Sequence, residues 1–262
     1  MIDFSTGQKY IIGMVHLLPL PGTPFYTHNN LDQIIEKAVA DASALSRGGA
    51  HGCLIQTVDR VYSNTDDTDY ARVAAMTLIV DAVKKAVPVD FIIGVQLMWN
   101  CITPSLAVAK ICGVDFVRCS VLVGTSDSPY GTVEGQPLLV QEYRKKLNAM
   151  DISLIAEIQG YHFQGDRDMV KEICSRAYFA TYAGADAVEI VDTDEEKNNL
   201  MAKAIRDMNI PVVLGGGTNK ENVKRRMQYA NAAFVGSHFQ KKWGGAIDEE
   251  AVKAYMAAFT GE

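Results

Sequence analysis

The sequence predicts an α/β fold, a single-domain (β/α)8 TIM barrel. Short β-rich runs alternate with helical patterns along all 262 residues, which is typical of repeated βα units around a parallel sheet. About eight such units fit into a chain of this length. An open, doubly wound sheet carries a glycine fingerprint after its first strand, but here that position reads HLLPLPG. We therefore predict a closed barrel over residues 1–262.

Four strands are predicted in the first half of the chain, each an apolar run rich in β-branched residues. They cover residues 10–16, 52–58, 91–98 and 115–121. Apolar residues at helical spacing predict helices at 31–47, 70–87 and 103–113. Gly48 and Gly49 end the first helix, and Thr103 is the expected cap of the third.

The second half begins with a long connection, residues 123–136, which is rich in Gly, Ser, Thr and Pro. It is long for a βα loop, so we interpret it as either a mobile lid or a surface insertion. The remaining strands are predicted at 152–159, 186–192, 211–217 and 232–239. Helices are predicted at 136–150, 168–183, 195–208, 220–229 and 248–259.

Composition argues against a nucleic-acid partner and against a membrane or disulfide-bonded protein. A net charge of -6 argues against nucleic acid, because a surface that binds phosphate backbones needs a basic excess. The basic run Lys224, Arg225 and Arg226 is expected to be a solvated helix face. Five cysteines without a CxxC pair indicate a reduced protein, and neither an apolar leader nor a membrane span is apparent. We expect a soluble, cytoplasmic homo-oligomer.

The stretch 211–243 predicts a phosphate site. It reads as strand, glycine turn, helix and strand, with Gly216 and Gly217 after one strand and Gly236 and Ser237 after the next. Glycines at these positions let backbone N–H groups approach an anion, and barrels bind phosphate after strands seven and eight. Thr218 or Asn219 is expected to cap the following helix. The alternative is that the glycines only form tight turns.

Polar residues fall on one parity near the ends of the strands, which predicts a catalytic barrel mouth. Arg118, Glu157 and Glu189 lie on neighbouring strands, and two carboxylates beside an arginine form an acid/base set in which one carboxylate has a raised pKa. The alternative is a buried ion-pair network that needs no substrate. His16 is a second candidate for proton transfer, and we predict that Gln56 and Asn100 bind substrate.

Cofactor requirements stay open at this stage. Asp59, His162, Asp192 and His238 lie just beyond strand ends, where they could join a metal site, but their spacing is not diagnostic. A divalent metal therefore remains an open alternative, and no residue is assigned to it. No lysine falls in the carboxyl half of a predicted strand, which argues against a Schiff base. A nucleophile elbow is also absent from the sequence.

Several motifs carry a resemblance to a known family. They are IIGMVHLLPLPGTP at residues 11–24, DASALSRGGAHG at 41–52, GGGTNKENV at 215–223 and FVGSHFQKKWGG at 234–245. In these the chain resembles the BtpA/SgcQ family of TIM-barrel proteins. His16, Asn100 and Arg118 match the family pattern, whereas Glu157 replaces an aspartate and Gln56 replaces a glutamate. These departures suggest a divergent member.

The resemblance implies two roles. Cyanobacterial members of the family are associated with photosystem I assembly or stability, and other bacterial members look like sugar-catabolism proteins. An assembly factor does not need polar residues that converge in a barrel mouth. The hypothesis is therefore an enzyme with isomerase- or lyase-type acid/base chemistry on a phosphorylated small molecule, such as a sugar phosphate. The alternative is a non-catalytic assembly factor or a protein that only binds a phosphorylated ligand.

Overall fold

The computed structural model describes residues 1–27, 30–159, 169–242 and 244–261. Eight parallel strands close into a barrel, because the first strand pairs with both the second and the last. Within the described ranges, the strands in chain order are β1 (Tyr10–His16), β2 (Gly52–Gln56), β3 (Ile92–Gln96), β4 (Phe116–Cys119), β5 (Thr125–Ser128), β6 (Gly131–Glu134), β7 (Ser153–Gln159), β8 (Ala187–Ile190), β9 (Val212–Leu214) and β10 (Ala232–Val235). The predicted barrel is confirmed.

The helices surround the barrel and alternate with its strands. They are α1 (Leu31–Arg47), α2 (Tyr70–Ala86), α3 (Ile102–Cys112), α4 (Pro137–Lys146), α5 (Met169–Tyr182), α6 (Glu195–Arg206), α7 (Val223–Arg226) and α8 (Glu249–Thr260). Short 3-10 turns cover Phe4–Thr6, Met227–Tyr229 and Ser237–Phe239. Across the described ranges, none of the helices is both long and apolar enough to cross a membrane.

The connection after β4 is neither an irregular loop nor a helix. β5 and β6 pair with each other in an antiparallel hairpin that is separate from the barrel sheet. Tyr130 lies in its turn and donates a hydrogen bond from its hydroxyl to the carbonyl of Arg60 at 2.7 Å. The hairpin is therefore tied to the segment that follows β2.

Two helix starts differ from the prediction. Thr103 is not the cap of α3, which begins one residue earlier. Its N–H instead donates to both carboxylate oxygens of Asp66, at 3.0 and 3.2 Å. The helix predicted at 220–229 is reduced to the single turn α7, and the side chain of Asn219 accepts from the N–H groups of Glu221 and Asn222 just before it. Neither Thr218 nor Asn219 caps a long helix.

Inside the barrel, apolar side chains from the strands form a compact interior cluster. Its centre is the stacked pair Phe116 and Phe234, whose ring centroids are 5.9 Å apart. Gly94 makes room for this pair, since a Cβ atom there would lie 2.1 Å from Cζ of Phe116. The middle of the barrel is thus filled by apolar side chains, and the cavities described below lie at the carboxyl ends of the strands.

We predict that Gly94→Ala destabilises the protein by about 1–3 kcal/mol, the usual cost of overpacking a core. The clash involves atoms at the tip of the Phe116 ring, which leucine lacks. In a Phe116→Leu background, Gly94→Ala should therefore cost clearly less. Urea unfolding of the four proteins measures this coupling. An equal loss in both backgrounds would contradict the packing described above.

Candidate active site

A ring of eight residues caps the interior cluster at the carboxyl ends of the barrel strands. Side chains alternate along a strand, so a residue two positions after an inward apolar residue also faces inward. On seven strands that earlier residue belongs to the interior cluster, and on β3 it is Gly94. The ring consists of His16, Gln56, Gln96, Arg118, Glu157, Glu189, Gly215 and Gly236.

Arg118 links the two acidic members of this ring. Its Nε and Nη2 donate to the two carboxylate oxygens of Glu189 at 2.5 and 2.7 Å, a bidentate pair. Nη2 also donates to Glu157 at 2.7 Å, and Nη1 donates to Gln96 at 3.0 Å. Glu157 and Glu189 are direct register partners on β7 and β8. The guanidinium is therefore held from three sides.

The two carboxylates differ in their surroundings. The Glu189 side chain is fully buried, whereas 10% of the Glu157 side chain is exposed and this residue lines the main cavity. Burial raises the pKa of Glu157 to about 7, with Glu189 adding to the rise and Arg118 opposing it. Burial acts to lower the pKa of Arg118, but the two carboxylates outweigh it and raise that pKa above its ordinary value. Arg118 stays charged while Glu157 titrates near neutrality.

Gly215 makes this arrangement possible. A Cβ atom at position 215 would lie 2.1 Å from Oε1 of Glu189, the oxygen that accepts from Nη2 of Arg118. Any larger residue would push the carboxylate out of the bidentate pair. The first glycine of the triple-glycine stretch therefore serves the acidic cluster as well as the turn.

The main cavity opens above the ring and has a volume of about 940 Å³. Its polar part contains Arg118, Glu157, Gln56 and Ser120. Its other part is mostly apolar and contains Leu18, Pro19, Tyr62, Met98, Trp99 and Tyr130, with Asp59 and Arg60 also in the lining. A cavity of this size and mixed lining is typical of a small-molecule site.

A smaller cavity of about 340 Å³ adjoins it, and we call this the glycine corner. It is lined by the residues predicted to bind phosphate: Gly216, Gly217, Gly236 and Ser237. In the part of the chain that the structure describes, the N–H groups of Gly216 and Gly217 donate no backbone hydrogen bond. Both cavities share His16, Gln56, Arg118 and Gly215. The two spaces therefore meet at the acidic ring.

The prediction that the basic run is a solvated helix face is wrong for Arg226. It is not on a solvated face, since only 1% of the residue is exposed, and its Nη1 donates to the carbonyl of Gly216 at 3.3 Å. A Cβ atom at Gly217, whose φ is 73°, would lie 2.6 Å from the same nitrogen. Arg226 thus supports the glycine corner from behind. Arg225 is exposed and pairs with Glu195 at 2.7 Å.

The other predicted site residues fall into two groups. His16 and Gln56 line both cavities, and burial lowers the pKa of His16 against an opposing hydrogen bond with Gln240, so its ring is neutral at pH 7. Asn100 does not line either cavity. Its amide donates to the carbonyl of Val121 at 3.0 Å and accepts from the Val121 N–H at 2.8 Å, so it supports the loop after β4.

Among the described residues, the metal candidates Asp59, Asp192 and His238 do not form a metal-binding group. Asp59 pairs with Arg72 at 2.6 Å and Asp192 with Lys197 at 3.1 Å, while His162 lies outside the described residues. Over the described ranges, no three His, Cys, Asp or Glu side chains are grouped to hold a metal ion. Among the same residues, no lysine lines the main cavity or the glycine corner.

Sequence reasoning missed the aromatic part of the cavity. Tyr62, Trp99 and Tyr130 come from three different connections, so no local pattern joins them. Gln96 shares the parity of the other ring residues, so the sequence pattern also directs it inward, without giving it a role. Gly215 also follows its strand directly, but its close approach to Glu189 depends on the pairing of β9 with β8.

Two curated relatives align along most of the chain. An uncharacterized protein from Archaeoglobus fulgidus is 33% identical over 260 residues, covering 97% of this chain and 100% of the relative. The photosystem I biogenesis protein BtpA from Synechocystis is 29% identical over 270 residues, covering 97% of this chain and 90% of the relative. Both similarities therefore extend over the whole barrel.

Solved structures show the same fold at low identity. N-(5'-phosphoribosyl)anthranilate isomerase from Pyrococcus furiosus superposes with a TM-score of 0.59 at 12% identity, covering 97% of this chain and 100% of that one. Thiamine phosphate pyrophosphorylase from the same organism has a TM-score of 0.58 at 14% identity, covering 99% and 98%. The sequence model of the BtpA family matches residues 7–261, which confirms the resemblance. The chain belongs to the BtpA family.

Proposed function

We propose that the protein is an enzyme that carries out acid/base chemistry of the isomerase or lyase type on a phosphorylated small molecule, without a Schiff base. One observation carries the proposal. Glu157 lines the main cavity beside Arg118, and its pKa is raised to about 7. A carboxyl group with a pKa near the working pH is suited to take and return protons.

The charges around Arg118 support different roles for Glu189 and Glu157. One guanidinium faces two carboxylates, so ionising both would leave a net negative charge in a buried place. The bidentate pair with Glu189 already neutralises the charge of Arg118. Arg118 donates only one further hydrogen bond to Glu157. In the proposed mechanism, Glu189 fixes the arginine and Glu157 exchanges the proton with substrate.

The glycine corner supplies the proposed phosphate site. Backbone N–H groups of Gly216 and Gly217 lie next to the cavity that Glu157 lines. The α7 helix is too short to contribute much dipole, so the loop amides themselves must hold the anion. Two structures of the same fold are named as enzymes of phosphate-bearing compounds, which agrees with this class of substrate.

His16 is the proposed second proton-transfer group. It lies in the ring on β1, lines both cavities and is neutral at pH 7. A neutral imidazole that lines the same cavity as a carboxyl group of raised pKa gives the site a group that can accept a proton while the other donates one. The β5–β6 hairpin contributes Tyr130 to the cavity and is the proposed cover that keeps water out.

A second candidate function is that of a non-catalytic assembly factor. The observation in its favour is the Synechocystis relative, which carries the name of a photosystem I biogenesis protein. In that case the Arg118 cluster is an ion-pair network that holds β4, β7 and β8 together. The two functions predict different consequences for a substitution at Glu157.

We predict that Glu157→Gln retains the fold but slows proton transfer by about 10²- to 10⁴-fold, the usual contribution of a general acid or base. The measurement is deuterium uptake from D2O into a panel of aldose and ketose phosphates, followed by ¹H NMR. If Glu157 acts as the base, exchange in the wild type falls as pH drops through about 7, since the carboxylate becomes protonated.

The matched control is Glu134→Gln, the same change on an exposed residue of β6 outside both cavities. It should exchange deuterium like the wild type. Equal rates for Glu157→Gln and wild type on a compound that is turned over would remove Glu157 from the mechanism. Unfolding of Glu157→Gln alone would favour the ion-pair network of an assembly factor.

The glycine corner gives a separate prediction. A Cβ atom at Gly236 meets only ordinary contacts, with His16 Cε1 at 3.4 Å and Met14 at 3.5 Å, so Gly236→Ala should fold normally. Its methyl group would enter the corner and weaken binding of inorganic phosphate about tenfold or more. Isothermal titration calorimetry measures this, with Glu157→Gln as a control that keeps phosphate affinity. Unchanged affinity in Gly236→Ala would place the anion elsewhere.

The absence of an imine can be checked directly. Because no lysine among the described residues lines either cavity, sodium borohydride added with a substrate should leave the protein mass unchanged. Intact-protein mass spectrometry gives the answer. A reduced adduct on any lysine would contradict the proposed chemistry and leave the phosphate site unaffected.

A further inference from the structure

We propose that the aromatic part of the main cavity is a ring subsite, which binds a planar, uncharged ring carried by the phosphorylated substrate. The ring subsite consists of Tyr62, Trp99 and Tyr130. This inference rests on the proposed function, because the ring and the phosphate belong to one molecule. It narrows the substrate class from any phosphorylated metabolite to one in which a phosphate and a flat ring are separated by a short polar segment.

The three aromatic side chains converge from separate connections of the barrel. Tyr62 follows β2, Trp99 follows β3, and Tyr130 is in the turn of the hairpin after β4. The Tyr62 centroid lies 5.5 Å from that of Tyr130 and 6.2 Å from that of Trp99, and the Trp99 and Tyr130 centroids are 6.4 Å apart. All three residues line the cavity that also contains Glu157.

Packing of the hairpin does not account for all of this cluster. Trp99, Val121 and Val133 form a small buried core beneath the hairpin. Tyr130 nevertheless remains 38% exposed, and Tyr62 is only half-buried. Aromatic rings that only hold the hairpin in place would be buried, whereas rings that contact a ligand have to be accessible. The arrangement provides a buried ring as support and two accessible rings as contact surface.

The size and lining of the main cavity indicate which kind of group fits its aromatic part. The volume of about 940 Å³ is near the upper end of the usual 300–1,000 Å³ for ligand sites. A sugar phosphate in contact with Glu157 and the glycine corner would leave the aromatic part filled with water. Of the charged residues in this lining, Asp59 is paired with Arg72 at 2.6 Å, and the Arg60 guanidinium lies over the Phe25 ring at 4.8 Å. Three aromatic side chains line this part, and they favour a flat, uncharged ring as its occupant.

The test compares ribose 5-phosphate with adenosine 5'-monophosphate, which is the same sugar phosphate carrying a planar ring. Titration calorimetry on the wild type should give a Kd about 5- to 100-fold lower for the nucleotide, the effect expected from stacking one ring on aromatic side chains. Tyr130→Leu and Tyr62→Leu should remove most of this preference and leave the Kd of ribose 5-phosphate unchanged.

Two further variants separate stacking from a structural effect. Tyr130→Phe loses the hydroxyl bond to Arg60 but keeps the ring, so it should retain the preference. Tyr182→Leu changes an exposed tyrosine at the end of α5, outside the main cavity, and should behave like the wild type. A Tyr130→Phe variant that loses the preference would show that the hydroxyl positions the hairpin, and would overturn the ring subsite.

The outcomes for the two proposals differ. Equal Kd values for the two ligands in the wild type would overturn the ring subsite while the phosphate site stands. Failure of ribose 5-phosphate and inorganic phosphate to bind, with adenosine still bound in a Tyr130-dependent way, would overturn the phosphorylated substrate and keep the ring subsite. Binding of none of these compounds would overturn both.

Discussion

The charge balance around Arg118 governs the site. One arginine lies between two carboxylates at the top of the barrel interior, and it forms a bidentate pair with only one of them. Because burial makes a second uncompensated negative charge costly, the other carboxylate keeps its proton up to about pH 7. A structural ion pair alone requires one acid and one base. The additional carboxyl group lines an open cavity, and this favours a catalytic role for the cluster over a purely structural one.

The barrel determines where this cluster can form. Side-chain alternation places an apolar residue at one level of each strand and a ring residue two positions later. Packing of the lower level, such as the stacked Phe116 and Phe234, holds the strands at the spacing that lets Glu157 and Glu189 reach the same guanidinium. Gly94 and Gly215 are small because the two levels leave no room for a side chain at those points. Core packing and site geometry therefore constrain the same residues.

Local patterns predicted much of this organisation. The bounds of β1 and α1 agree with the predicted segments, and parity alone indicated that Arg118, Glu157 and Glu189 face one side. The contacts that local patterns did not predict join residues that are far apart in the sequence. Asp66 caps α3 from 37 residues away, and Arg226 is buried because it folds back under the glycine turn. The aromatic cluster joins the connections after β2, β3 and β4, which meet because these strands are neighbours in the barrel sheet. No spacing along the chain reveals such contacts.

The central claim is that Glu157 exchanges a proton near neutral pH while Arg118 and Glu189 stay paired. The most direct measurement is a ¹³C NMR titration of protein labelled at the glutamate side-chain carboxyl carbons. The account predicts one carboxyl resonance that shifts with an apparent pKa near 7, is missing in Glu157→Gln and persists in Glu134→Gln. If every glutamate has finished titrating below about pH 5, within the ordinary range for this side chain, the cluster is a permanent ion-pair network and the claim is wrong.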